Sequence, residues 1–154
     1  MMQASVGIVF PLPATPPPDF RNFDEEADSR ESMRKVRGTR VIVVDDETRI
    51  ASTLVEILKS EGYEAMAAST GDGAIELARI FNPEIVLSDV ILPGLNGIEV
   101  GIQISALFPK CRVILFSGQA ATLDLLKDAR RRGHEFEILA KPIKPAALLD
   151  VIRR

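Results

Sequence analysis

The chain has 154 residues, with 22 acidic and 19 basic side chains and a net charge of −3; it can hold one domain with a full core, and its charge balance argues against a broad nucleic-acid footprint. Its one cysteine, Cys111, excludes an internal disulfide framework and, among apolar neighbours, reads as a packing residue in a reducing cytoplasmic setting. No apolar run reaches the length of a membrane span, and the stretch Val6-Gly7-Ile8-Val9-Phe10 lacks a basic lead-in and is broken by Pro11 and Pro13, unlike a signal peptide.

Residues 1–38 do not read as part of a fold. Five of the 10 prolines fall between Pro11 and Pro18, and a mixed charged run follows from Asp19 to Arg37. Such a segment buries too little apolar surface to offset its ordering entropy, so the expectation is a disordered tail followed by one domain over residues 39–154. That domain opens with Arg40-Val41-Ile42-Val43-Val44, a β-branched run that ends on Asp45-Asp46-Glu47. A helix follows, with Ile50, Leu54, Ile57 and Leu58 on one face and Gly62 at its end. Tyr63 to Ala68 reads as a strand and Asp72 to Phe81 as a helix. Ile85-Val86-Leu87 then forms a short apolar run without polar alternation, the pattern of a central parallel strand covered on both faces. It ends on Ser88-Asp89, and Pro93-Gly94 and Asn96-Gly97 turn the chain into a helix from Ile98 to Leu107.

The fourth strand, Arg112 to Phe116, ends on Ser117-Gly118. Ala120 to Arg132 reads as a helix with a basic carboxyl end that suits its dipole, closed by Gly133. Phe136 to Ala140 reads as the fifth strand, ending on Lys141-Pro142, and Pro145 to Arg154 as a last helix with proline in its first turn. His134 reads as a solvated loop residue. Strands alternating with helices through short loops predict an α/β fold with a parallel sheet, right-handed crossovers and helices on both faces.

In a parallel sheet the ends of strands one, three, four and five share one edge. Asp45, Asp46 and Asp89 therefore converge with the Ser117 hydroxyl and the Lys141 ammonium. A carboxylate pair about 4 Å apart repels by roughly 1–4 kcal/mol depending on solvation, so three acids make a costly structural cap. A divalent cation removes the conflict, and Mg²⁺ favours one or two carboxylates together with waters and phosphate oxygens. A carboxylate beside Mg²⁺ and a lysine can act as a nucleophile towards a phosphoryl group, with the cations neutralising the phosphoryl oxygens.

Val43-Val44-Asp45-Asp46-Glu47, Asp89 with Pro93-Gly94 and Asn96-Gly97, Ser117-Gly118 and Lys141-Pro142 together resemble the receiver domains of two-component response regulators, in particular the single-domain chemotaxis type. The resemblance covers residues 39–154. It implies a flavodoxin-like doubly wound (βα)5 three-layer sandwich with strand order 2-1-3-4-5. It implies that Asp89 accepts phosphate from a histidine kinase or phosphotransfer protein, and that Asp45, Asp46, Asp89 and the backbone carbonyl of Ile91 hold Mg²⁺. Ser117 and Lys141 would sense the acyl phosphate, and the Lys141–Pro142 peptide would be cis, as X–Pro bonds permit.

Two positions depart from the family pattern. Three residues before the lysine, where an aromatic is usual, stands Ile138, with Phe136 nearby. Two residues after Asp89 stands Ile91, whose side chain cannot orient an attacking water, so slow self-dephosphorylation is expected. The expectation is a stand-alone, non-enzymatic phosphoacceptor switch that signals by protein–protein contact, without direct contact to nucleic acid or membrane. The alternative is a phosphorylation-independent interaction module on the same fold. A nucleotide- or flavin-dependent enzyme is disfavoured because the turn after strand one carries no glycine-rich phosphate cradle. A dehalogenase-type phosphatase is disfavoured because Asp45-Asp46-Glu47 lacks an Asp-x-Asp spacing.

Overall fold

The structure, a computed structural model, describes residues 38–118 and 122–154. The tail read over residues 1–38 therefore lies outside the described residues, apart from Gly38. From there the chain alternates strictly: β1 (Arg40–Val44), α1 (Thr48–Ser60), β2 (Glu64–Ala68), α2 (Gly71–Phe81), β3 (Ile85–Asp89), α3 (Gly97–Leu107), β4 (Arg112–Ser117), α4 (Thr122–Arg131), β5 (Glu137–Ala140) and α5 (Pro145–Arg153). All four strand pairings are parallel, in the order β2-β1-β3-β4-β5. This is the flavodoxin-like (βα)5 arrangement that the resemblance implied.

The continuous apolar runs of β1, β3 and β4 have a simple cause. Successive side chains of a strand point to opposite faces, and here both faces are covered. Val41, Val43, Ile85, Leu87, Ile114 and Phe116 meet Leu54 and Leu58 of α1 and Leu148 and Ile152 of α5. Their strand neighbours Ile42, Val44, Val86, Val113 and Leu115 meet Ala74 and Ala78 of α2, Ile98 and Ile104 of α3 and Ala129 of α4. Each fully buried aliphatic side chain contributes about 1.5–3 kcal/mol. A one-residue slip of β3 would exchange its two apolar sets across the sheet, so its register against β1 and β4 is tightly specified.

The helix and strand ends differ from the sequence expectation by a residue or two, each for a local reason. Tyr63 stays outside β2 because its N–H closes α1 on the Leu58 carbonyl, a turn made possible by Gly62 at φ +96°. The helix expected from Asp72 begins at Gly71, because the Thr70 hydroxyl caps it by accepting from the Gly73 N–H at 3.0 Å. Arg132 leaves α4 where His134 N–H turns back to the Ala129 carbonyl, with Gly133 at φ +87°. Ala120 and Ala121, expected in the same helix, lie outside the described residues. Phe136 precedes β5, and its ring occupies the notch left by Gly101 on α3. His134 is half-buried and stacked on Phe136 at 6.4 Å between ring centroids, a firmer setting than the solvated loop expected for it.

Cys111 is buried in the core, as its apolar neighbourhood suggested, and burial pushes its thiol up to about 11. The basic run at the end of α4 is tied down: Arg132 pairs with Glu99 of α3 at 2.7 Å and with Asp128, and Arg130 pairs with Glu135. At the amino ends of β4 and β5 Arg112 forms a fork on Glu137 and also donates to the Val151 and Ile152 carbonyls at the end of α5. Among the described residues no helix is long and apolar enough to cross a membrane.

Candidate functional site

The carboxyl ends of the strands build the site. β1 delivers Asp45 and Asp46 just beyond Val44, and β3 ends on Asp89 itself. Asp45 is wholly buried, Asp89 nearly so, and Asp46 faces solvent. One oxygen from each of the three carboxylates lies within 4.8 Å of the others. The convergence expected of the acids is therefore present.

Each acid is held differently. The Asp45 Oδ1 accepts from the Glu47 N–H at 2.9 Å, which fixes the first turn after β1. Its Oδ2 is buried without a hydrogen-bond partner. Burial raises the Asp45 pKa above its usual range, and the neighbouring charges of Asp89 and Asp46 add to that; the Glu47 N–H and Lys141 oppose it without cancelling it. Asp89 accepts from the Ile91 N–H at 3.3 Å through Oδ1 and from Lys141 Nζ at 2.8 Å through Oδ2.

Lys141 reaches the acids from the end of β5. Its N–H donates to the Ser117 carbonyl, so the ends of β4 and β5 are joined through the backbone. Its peptide with Pro142 is cis, as the resemblance implied. Its stem crosses Gly118, where an added Cβ would sit only 3.1 Å from the Lys141 Cβ. Nζ lies 2.8 Å from Asp89 and 3.8 Å from Asp45. Burial works against the ammonium, but the hydrogen bond to Asp89 and the fields of Asp89, Asp45 and Glu47 outweigh it, and the Lys141 pKa is raised.

Glycine matters most at Gly97. It is the first residue of α3, its N–H donates to the Val90 carbonyl, and its Cα rests directly on the Asp89 backbone. A Cβ there would overlap the Asp89 carbonyl oxygen and lie 2.8 Å from its carbonyl carbon. The Asn96-Gly97 pair does more than turn the chain. Asn96 caps α3 by accepting from the Glu99 N–H at 2.9 Å, and Gly97 lets that helix start against the acid.

Of the sequence-predicted site residues, Asp45, Asp46, Asp89 and Lys141 come together, and Asp46, Asp89 and Lys141 face an open groove of about 880 Å³. Ile50 and Ile57 of α1 and Ile143 after β5 form apolar walls of the same groove. Ile91 follows Asp89 with its side chain 43% exposed and its N–H on the acid. Ser117 ends β4, but its hydroxyl is engaged elsewhere, in a hydrogen bond with the Thr122 hydroxyl at the start of α4. Thr122 escaped the sequence reading, because it falls in the first turn of the helix expected from Ala120 and nothing in the spacing assigns it to Ser117. Ile138, in the place where the family usually has an aromatic, lies half-exposed on β5.

A hard divalent cation fits this arrangement. Two carboxylates with restricted solvent access and one exposed carboxylate supply oxygen donors, and the buried Asp45 Oδ2 accepts no hydrogen bond. One lysine cannot balance three acids.

Comparison with known proteins gives the same picture. The family model described as the response regulator receiver domain matches residues 41–153. The chain is similar to the DNA-binding response regulator MtrA of Mycolicibacterium paratuberculosis, 28% identical over 114 residues, and spans about half (49%) of that relative's length. It is 28% identical to the chemotaxis protein CheY of Thermotoga maritima over 76% of this chain and 97% of that one. It is also 27% identical to the sporulation initiation phosphotransferase F of Bacillus subtilis, covering 75% of this chain and 91% of the relative. Among solved structures, a CheY-like receiver domain protein of Methanospirillum hungatei superposes with a TM-score of 0.69 at 28% identity, over 75% of this chain and 91% of the other. With its matching residues spread over five strands and five helices, this chain belongs to the response regulator receiver domain family.

Proposed function

We propose that the chain is a Mg²⁺-dependent phosphoacceptor switch that takes a phosphoryl group onto Asp89 and signals by protein–protein contact. The observation that carries this reading is the Lys141 Nζ on the Asp89 Oδ2 at 2.8 Å, beside the buried Asp45 Oδ2, which accepts no hydrogen bond. A lysine placed there neutralises charge on an incoming phosphoryl oxygen and keeps the accepting carboxylate in position. Asp45, Asp46, Asp89 and the Ile91 carbonyl would hold the metal. When bound, Mg²⁺ supplies positive charge to the phosphoryl oxygens.

The donor is a phosphohistidine of a histidine kinase or phosphotransfer protein. An Asp89 oxygen forms the new O–P bond as the N–P bond breaks, and the departing imidazole nitrogen keeps the electron pair and takes up a proton. Lys141 then shifts its hydrogen bonds from the carboxylate to the phosphoryl oxygens, and Ser117 supplies a hydroxyl to one of them. The half-exposed aliphatic Ile91 side chain offers no hydrogen bond to a hydrolytic water, which supports slow self-dephosphorylation. The chain acts as a switch, with no turnover of a free substrate.

Incubation with acetyl phosphate and Mg²⁺, followed by intact mass, tests this directly. One added phosphoryl group in the native chain, absent in Asp89→Asn and after EDTA, is the expected result. Absence of any gain under saturating donor would favour the phosphorylation-independent interaction module, and a phosphoryl half-life of seconds would remove the role given to Ile91.

A further inference from the structure

We propose that Thr122 is a positioning residue that holds the Ser117 hydroxyl in its resting place, so that occupying the phosphoryl site must first break the Ser117–Thr122 hydrogen bond. This rests on the phosphoacceptor reading of Asp89 and adds a control element to that same site.

Three observations carry it. The Ser117 hydroxyl bonds the Thr122 hydroxyl. Thr122 is 1% exposed and is the first residue of α4. Ser117 is absent from the walls of the groove that Asp46, Asp89, Gly118 and Lys141 line, although its neighbour Gly118 is part of them.

The backbone of Ser117 has little freedom to compensate. Its carbonyl accepts from the Lys141 N–H, and it pairs in register with Ala140 of β5. The freedom that remains lies in the side-chain torsion. A serine hydroxyl carries a single proton, and a phosphoryl oxygen only accepts. Ser117 must therefore spend its proton on the phosphoryl group, and because its hydroxyl rests on Thr122 and outside the walls of the groove it must rotate away from Thr122 to reach that group. That exchange releases a buried hydroxyl at the start of α4, which links occupancy of the site to the position of that helix.

Thr122→Val keeps the branched shape and removes the hydroxyl. Beryllofluoride with Mg²⁺ serves as the phosphoryl mimic, and its affinity is measured for the native chain, Thr122→Val, Thr122→Ser, Ser117→Ala and the Ser117→Ala/Thr122→Val double variant. Loss of one neutral hydrogen bond from the resting state alone tightens Thr122→Val by about two- to tenfold. Thr122→Ser keeps the native affinity, and in the Ser117→Ala background the Thr122 change has no effect. In the free protein, the Gly118 amide resonance of Thr122→Val moves towards its position in the mimic-loaded native chain.

Unchanged or weaker binding by Thr122→Val, or the same gain in the Ser117→Ala background, overturns the proposal. Thr122→Ala, read in the same way, serves if the valine variant fails to fold. Failure of the native chain itself to bind the mimic refutes the phosphoacceptor reading. Native binding with an indifferent Thr122→Val refutes the Thr122 role alone.

Discussion

Replacing Asp45 by asparagine should stabilise the metal-free protein while removing most of its response to Mg²⁺. Asp45 has two like charges, Asp46 and Asp89, with oxygens within 4.8 Å, and one opposite charge, Lys141, at 3.8 Å. At an effective dielectric of about 20, each repulsion is worth roughly 3.5 kcal/mol and the attraction roughly 4.4 kcal/mol. Two repulsions therefore exceed one attraction by roughly 2.5 kcal/mol on the same scale. Exposure of Asp46 trims the balance, and so does the new amide NH₂ brought near Lys141, whereas relief of a buried carboxylate oxygen that accepts no hydrogen bond adds to it. Asparagine can keep the hydrogen bond from the Glu47 N–H. A net gain of about 1–3 kcal/mol in unfolding free energy at pH 7 in EDTA follows. Urea unfolding followed by far-UV circular dichroism gives the value. Adding millimolar Mg²⁺ should then raise the native midpoint and leave Asp45→Asn nearly unchanged, because a ligand stabilises the state it binds in proportion to its occupancy. Destabilisation of Asp45→Asn in EDTA, or equal Mg²⁺ stabilisation of both proteins, would refute the charge balance drawn here.

Two further outcomes follow from packing and from an ion pair. Gly97→Ala should cost about 2 kcal/mol or more in urea unfolding, because the new methyl meets the Asp89 backbone, which cannot turn aside; the helix preference of alanine returns only about 1 kcal/mol. Gly101→Ala is the control: its methyl meets the edge of the Phe136 ring at 2.9 Å, a side chain that can shift, and the net change should stay within about 1 kcal/mol. Glu137→Gln should cost about 0.5–1 kcal/mol at pH 7, discounted because the Glu137 side chain is 46% exposed. The hydrogen bond from Arg112 holds the Glu137 carboxyl below its ordinary 4.5 despite some burial. A depressed carboxylate contributes its stability above the unfolded value and loses it as pH falls through the folded one, so the difference from the native chain should shrink below about pH 4.5 and vanish in stronger acid. A difference that persists unchanged to pH 3 would show that the ion pair is not its source.

The parts of this molecule that are legible in its sequence are those that depend on one segment at a time. Val41 to Val44, Ile85 to Leu87 and Val113 to Phe116 announce buried strands because both faces of each are covered, so every position must be apolar. Asp45, Asp46, Asp89 and Lys141 announce a site because charges stand at strand ends where the apolar run should emerge, and parallel pairing alone brings those ends to one edge. What depends on contact between segments is not legible in that way. Gly97 reads as a turn residue, yet its decisive neighbour is the backbone of Asp89, eight residues earlier. Phe136 reads as the first strand residue, yet its ring is drawn to the gap at Gly101 on another helix. Ser117 reads as a strand-end hydroxyl at the site, but no periodicity reports whether a hydroxyl faces the groove or the neighbouring helix. A serine can do either at nearly equal cost, since rotation about one bond exchanges one hydrogen-bond partner for another. For that reason the site's charges could be placed from the strand ends, whereas the resting direction of the Ser117 hydroxyl required the position of Thr122.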